Sequence, residues 1–166
     1  MIVRALTLAG GLTGAAGLSQ FPEFSQQYTQ RLGGAVDELS RVVADFDADA
    51  AKVGLSRDAA LQELAQGSAM ARERATTMAR TFDRHARLSA DLTALQGAGP
   101  FTRAYLATRM TDSDVTKRAW SAYRPAVPAT FEGVVFAGTG FVTGILALGF
   151  IFSALRMVFR RRRAPA

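Results

Sequence analysis

The chain has no cysteine, so it holds no disulfide framework and no thiolate metal site. It has one histidine, His85, and one tryptophan, Trp120. No segment sustains the apolar–polar alternation of a strand, which argues against a sheet. Nucleophile motifs and metal-ligand spacings are missing as well. Gly10-Gly11 and Gly97-x-Gly99 lack the strand–loop–helix setting that phosphate binding needs. Charge is absent from two long stretches: Ala5–Pro22 and Gly133–Leu155 are 18 and 23 residues without an Asp, Glu, Lys or Arg.

Those uncharged runs are the strongest features of what is present. As helices rising about 1.5 Å per residue they extend roughly 27 Å and 34 Å, against a hydrocarbon core about 30 Å thick. Both are predicted to span a membrane. A secretory signal peptide competes for the first run, with Arg4 as its basic flank and Gly14-Ala15-Ala16 as its small-residue site. One basic residue is a thin flank and the glycine density is unusual, which favours a retained helix. Apolar residues make up 49% of the chain and charged ones 20%, a mixture that fits division between lipid and water.

The net charge of +6 is not spread evenly. Arg4, Arg156, Arg160, Arg161, Arg162 and Arg163 supply six positive charges at the two ends, while Ser19 to Glu132 carries 14 Lys or Arg and 14 Asp or Glu. The basic excess therefore belongs to the membrane flanks and excludes a nucleic-acid reading. Lys and Arg close to helix ends stay on the cytoplasmic side. The five arginines after Leu155 then place the C-terminus inside, because the opposite flank mixes Lys117, Arg118 and Arg124 with Asp112, Asp114 and Glu132. The expected organisation is a first transmembrane helix over residues 1–22 with a cytoplasmic N-terminus, a periplasmic helical domain over 23–130, a second transmembrane helix over 131–158 and a basic cytoplasmic tail over 159–166. Arg160 to Arg163 would anchor that tail at the lipid surface.

The middle has helical periodicity. Leu32, Val36, Leu39, Val43, Phe46, Ala50 and Val53 alternate in steps of four and three, a heptad seam. Gly54 sits where a left-handed cap belongs, and Ser56 is a candidate N-cap for the next helix. That helix is predicted over about Arg57 to Gln96, some 60 Å long. Its seam runs through Leu61, Leu64, Ser68, Ala71, Ala75, Met78, Phe82, His85, Ser89 and Leu92. A tight turn between two such helices predicts an antiparallel hairpin or coiled coil. His85 falls on this seam and reads as a packed residue rather than a catalyst. Asp45, Asp47 and Asp49 spread around their helix and read as a solvated face. A short helix from Pro100 to Met110 follows, then a capping box at Thr111-Asp112-Ser113-Asp114. Pro125 and Pro128 give a stiff approach to the second span. The fold class expected is an all-α membrane protein, two transmembrane helices flanking a periplasmic helical domain.

Three sets of residues are candidates for contact. Gly10-x-x-x-Gly14 and Gly140-x-x-x-Gly144 put small residues one turn apart in both spans, which lets helices in lipid approach closely, within one chain or between subunits. Aromatic residues flank both spans: Phe21, Phe24 and Tyr28 after the first, and Trp120, Tyr123 and Phe131 before the second. Such rings favour headgroup depth. The run from Ser19 to Gly34 adds Glu23, Gln27 and Arg31, four glutamines, and Gly33-Gly34 within a helix, where each Gly costs about 1 kcal/mol relative to Ala. Phe21, Glu23, Phe24, Gln27, Tyr28, Arg31, Trp120 and Tyr123 are therefore the expected interfacial or partner contacts. Thr7, Thr13, Thr139 and Thr143 could line a pore or bond to their own helices. The spans hold no ionisable residue away from their ends, where Glu132 and Arg156 lie, which argues against coupled transport.

The run from Ser19 to Leu39, the glycine-rich first span and the basic C-terminal end resemble a family of uncharacterised bacterial inner-membrane proteins, Domain of Unknown Function 2937. The resemblance covers nearly the whole chain. It implies an inner-membrane location and no particular activity. No cofactor, metal or enzymatic activity is expected. The expected role is structural or adaptor, by self-assembly or partner binding through the helical domain, with membrane lipids and either a second copy or another membrane protein as partners. The alternative is an accessory subunit of a larger respiratory or transport complex.

Overall fold

The computed structural model describes residues 1–125 and 129–161, the last four by backbone alone. The described residues form seven α-helices, one 3-10 turn and no strand. The helices are α1 (Ile2–Ser19), α2 (Phe21–Lys52), α3 (Arg57–Gln66), α4 (Ala69–Leu95), α5 (Pro100–Tyr105), α6 (Ser113–Ala122) and α7 (Phe131–Arg161). The chain divides into two compact units, Met1–Ser25 with Tyr123–Ala166, and Gln26–Ala122. Two helical stretches, Ile2–Lys52 and Phe131–Met157, are long and apolar enough to cross a membrane. In the first, the uncharged residues are those of α1 and its junction with α2.

The first unit is built on α1 against α7. Its pairings run in opposite chain directions, Gly14 with Gly140 and Gly10 with Gly144. Most other apolar side chains of the two helices face outward, among them Leu8, Leu12, Val142, Leu146 and Phe150. In water such exposure opposes folding, whereas in lipid it costs nothing.

The second unit has a polar surface and a thin core. Tyr28, Leu32, Val36, Val43 and Ala50 of α2, Ala75, Met78, Leu88 and Leu95 of α4, and Val115 and Ala119 of α6 are buried. A Cβ built on Gly33 would lie 4.0 Å from a Leu92 methyl, Ser40 bonds His85 at 2.9 Å, and Phe46 meets Phe82 edge-on at 5.2 Å. Partner numbers on α4 fall as those on α2 rise, so the two helices pack in opposite directions. The α2 end is closed by a left-handed Gly54 (φ 74°), with amides of Gly54 and Leu55 donating to the carbonyls of Ala51 and Ala50. These two bonds satisfy carbonyls that a helix end leaves unpaired. Ser56 then caps α3, accepting from the Ala59 amide at 3.3 Å.

Four sequence expectations need correction. The long helix from Arg57 to Gln96 is two helices, because Gly67 is extended and Ser68 caps α4 by accepting from the Ala71 amide at 3.3 Å. Val53 is not a seam residue. It lies beyond the end of α2 and is 69% exposed. The buried surface of α4 also takes in Leu88 and Leu95, which lie beside the seam positions Ser89 and Leu92 and outside the seam. The cap of α6 is Asp112, not Thr111: its Oδ1 accepts the amides of Asp114 and Val115 at 3.2 and 3.0 Å. A carboxylate is a stronger acceptor than a hydroxyl and is favoured at a helix N-terminus.

Candidate functional site

The span contact is made by glycines. An ideal Cβ at Gly140 would lie 2.7 Å from the carbonyl carbon of Gly14, and one at Gly144 would lie 2.9 Å from that of Gly10. In the other direction, a Cβ at Gly14 would strike the Gly140 carbonyl. Gly14 and Gly140 thus meet as a reciprocal pair within one chain, backbone against backbone, and Gly144 faces the backbone of Gly10. Gly10 and Gly11 meet side chains instead, those of Leu148, Phe141 and Ile145. Gly17, Gly138 and Gly149 face open space. Thr7, Thr13 and Thr139 each donate to a carbonyl four residues back at 2.9 Å, which occupies their hydroxyl protons within their own helices.

Around the α1–α2 junction, polar and aromatic groups of the first unit interlock. The Tyr123 hydroxyl donates to Gln20 Oε1 at 2.6 Å, and Gln20 Nε2 donates to Ser19 Oγ at 3.1 Å. Phe24 packs edge-on against Tyr123 at 6.0 Å, and Phe21 against Phe136 at 5.3 Å. Ser19 and Ser25 are buried, each hydroxyl donating to a carbonyl three residues back. Burial, and then the nearby Glu23 charge, push the Tyr123 phenol above its ordinary range. Phe21, Glu23, Phe24 and Tyr123 therefore belong to one unit.

Gln27, Tyr28, Arg31 and Trp120 belong to the other unit. Tyr28 is a core residue rather than a contact: it is 1% exposed, and its hydroxyl accepts the Asp112 amide at 3.3 Å. Burial raises its pKa, the Asp112 amide lowers it, and the charges of Asp112 and Asp91 raise it further. Trp120 is 68% exposed. Arg84 bridges Asp112 and Asp114 at 3.1 and 3.2 Å. Burial works to raise the Asp112 carboxyl, but the Val115 amide, Arg84 and the Asp114 amide outweigh it and hold the group below its ordinary pKa. His85 is partly buried and bonded to Ser40. Asp47 is held below the usual carboxylate range by the bidentate Arg57 fork, at 2.7 and 2.5 Å. The side chains of Arg160 and Arg161, and the whole of Arg162, Arg163 and Pro128, lie outside the described residues.

The family model described as "Protein of unknown function (DUF2937)" matches residues 2–161. The chain belongs to that family. No curated protein and no solved structure matches it. In this DUF2937 member sequence reasoning missed Arg84, Asp112 and the α6 cap as a network. The available signal was Asp112 directly before Ser113, an acceptor at the start of a helix, but its cross-helix partners Tyr28 and Arg84 are 84 and 28 residues away.

Proposed function

We propose that this DUF2937 protein is a membrane-anchored structural or adaptor protein that engages its partner through the helical domain, without enzymatic activity. One observation carries the reading: the glycine motifs of the two spans are already paired with each other inside one chain. A glycine face consumed in this way is not offered to another helix. The spans then act as a paired tether, and association falls to the helices of residues 26–122. The same pairing supports retention of the first span, since a cleaved leader has no use for a register matched to Gly140 and Gly144. The arginine excess of the C-terminal tail supports cytoplasmic termini and a periplasmic helical domain in a bacterial inner membrane.

Native mass spectrometry of the protein extracted gently from its own membrane tests the role. The expected result is an assembly, either of identical chains or with a second gene product, that survives Gly140→Ala but is lost when the helical domain is altered. A solitary monomer under all extraction conditions would remove the adaptor reading.

A further inference from the structure

We propose that the groove between α2, α4 and α6 binds a phosphate-bearing anion between Arg31 and Arg118. The groove has a volume of about 360 Å³. That is small for a ligand pocket but roomy enough for a phosphate ester with a short polyol. Its floor is Gly34, Ala35 and the buried Val115, and its rim carries Arg31, Arg84 and Arg118.

Three observations converge on it. First, Gly34 sits inside α2, where glycine is costly, yet a Cβ there would meet nothing within 4 Å. No packing within this chain accounts for it, whereas a group that comes and goes from the groove does. Second, the two acids on the rim are already engaged: Glu38 with Arg41 at 2.9 Å and Asp114 with Arg84 at 3.2 Å. Third, no carboxylate among the described residues lies within ion-pair distance of Arg31 or Arg118. Two open guanidinium forks therefore share one cavity with a third, Arg84, held in place by Asp112 and Asp114. A carboxylate's two oxygens satisfy one fork, while a phosphate monoester has three terminal oxygens, enough to meet two. The same chemistry fits a monoester lipid headgroup and a soluble phosphate monoester.

The test uses the full chain in maltoside micelles. The probes are inorganic phosphate, glycerol phosphate and phosphatidic acid, read by calorimetric titration. Three variants accompany the wild type: R31Q/R118Q, G34L to fill the groove with the arginines kept, and R80Q/R87Q as a charge-matched control on the exposed face of α4. Unchanged helicity by circular dichroism shows that each is folded, and R31Q/R118Q suffices if G34L is not. The expected result is saturable binding that weakens at least tenfold in R31Q/R118Q and G34L and stays within twofold in R80Q/R87Q. Saturation by either soluble probe identifies a soluble phosphate, and saturation by phosphatidic acid alone identifies a lipid. The proposal is overturned if no probe saturates the wild type, or if the control loses as much affinity as R31Q/R118Q.

Discussion

Asp112 accepts hydrogen bonds from the amides of Asp114 and Val115 and from the Arg84 guanidinium, while its own amide donates to the buried Tyr28 hydroxyl. All of the bonds to its carboxyl favour the ionised form, and its folded pKa lies below the ordinary 3.8. A group whose pKa falls on folding contributes stability that is fully present above its unfolded value and is lost as pH drops through the folded value. The helical domain is therefore expected to lose stability below pH 3.8, on the acid side of the Asp112 titration. Asp112→Asn keeps a capping oxygen but loses the charge, and should cost about 1 kcal/mol at pH 7. Asp112→Ala loses both, and should cost roughly 2–3 kcal/mol. Urea denaturation of the full chain, followed by helicity, separates the two. Equal stability of the wild type and Asp112→Asn at pH 7 would show that ionisation contributes nothing. Tyr28→Phe removes an acceptor from a partly buried amide and should cost about 1 kcal/mol in the same assay.

At the scale of elements, the glycines of α1 and α7 fall into three grades by what a methyl group would strike. Gly14, Gly140 and Gly144 face backbone, which cannot move aside; Gly10 and Gly11 face side chains, which can; Gly17, Gly138 and Gly149 face nothing. Substitution by Ala should weaken the α1–α7 pairing by about 1–3 kcal/mol in the first group and less in the second. In the third group it should be neutral or slightly favourable, because Ala is the better helix former. Cysteine pairs placed across α1 and α7, cross-linked in detergent with each variant, read this order; a flat response would mean that the approach is not set by backbone contact. The glycine spacing was legible in the sequence because it is a local pattern repeated in both spans. Which partner each span chooses was not, since the same spacing serves contacts within and between chains. The helix break at Gly67-Ser68 was obscured for a related reason: the seam residues Leu64, Ser68 and Ala71 keep their period across it. What stops the helix is a cap, the Ala71 amide on Ser68 Oγ. Ser68→Ala should cost about 1 kcal/mol. Leu88 and Leu95 escaped because they lie seven apart on a second face of α4, roughly 60–100° around the helix from the seam, which a single-seam pattern does not mark.

At the scale of the whole molecule, charge and composition divide the chain in the same way as its contacts do. Residues 26–122 carry the near-balanced charges and the cross-helix ion pairs, and the residues on either side carry the uncharged runs and the arginine tail. The proposed topology rests on where the arginines are, not on their total number. The segment after Leu155 holds five Arg and no acid, which opposes its transfer across the membrane, while the flank before α7 mixes Lys117, Arg118 and Arg124 with Asp112, Asp114 and Glu132. Alkaline phosphatase is active only outside the cytoplasm. A fusion after residue 60 is therefore expected to be active and one after residue 166 inactive. Replacing Arg160, Arg161, Arg162 and Arg163 by Asn leaves Arg156 as the only cation after Leu155. That change should weaken the orientation signal and lower the activity of the fusion after residue 60 without lowering the amount of inserted protein. An inactive fusion at residue 60 in the unaltered chain would invert the topology and place the helical domain, with its open groove, in the cytoplasm.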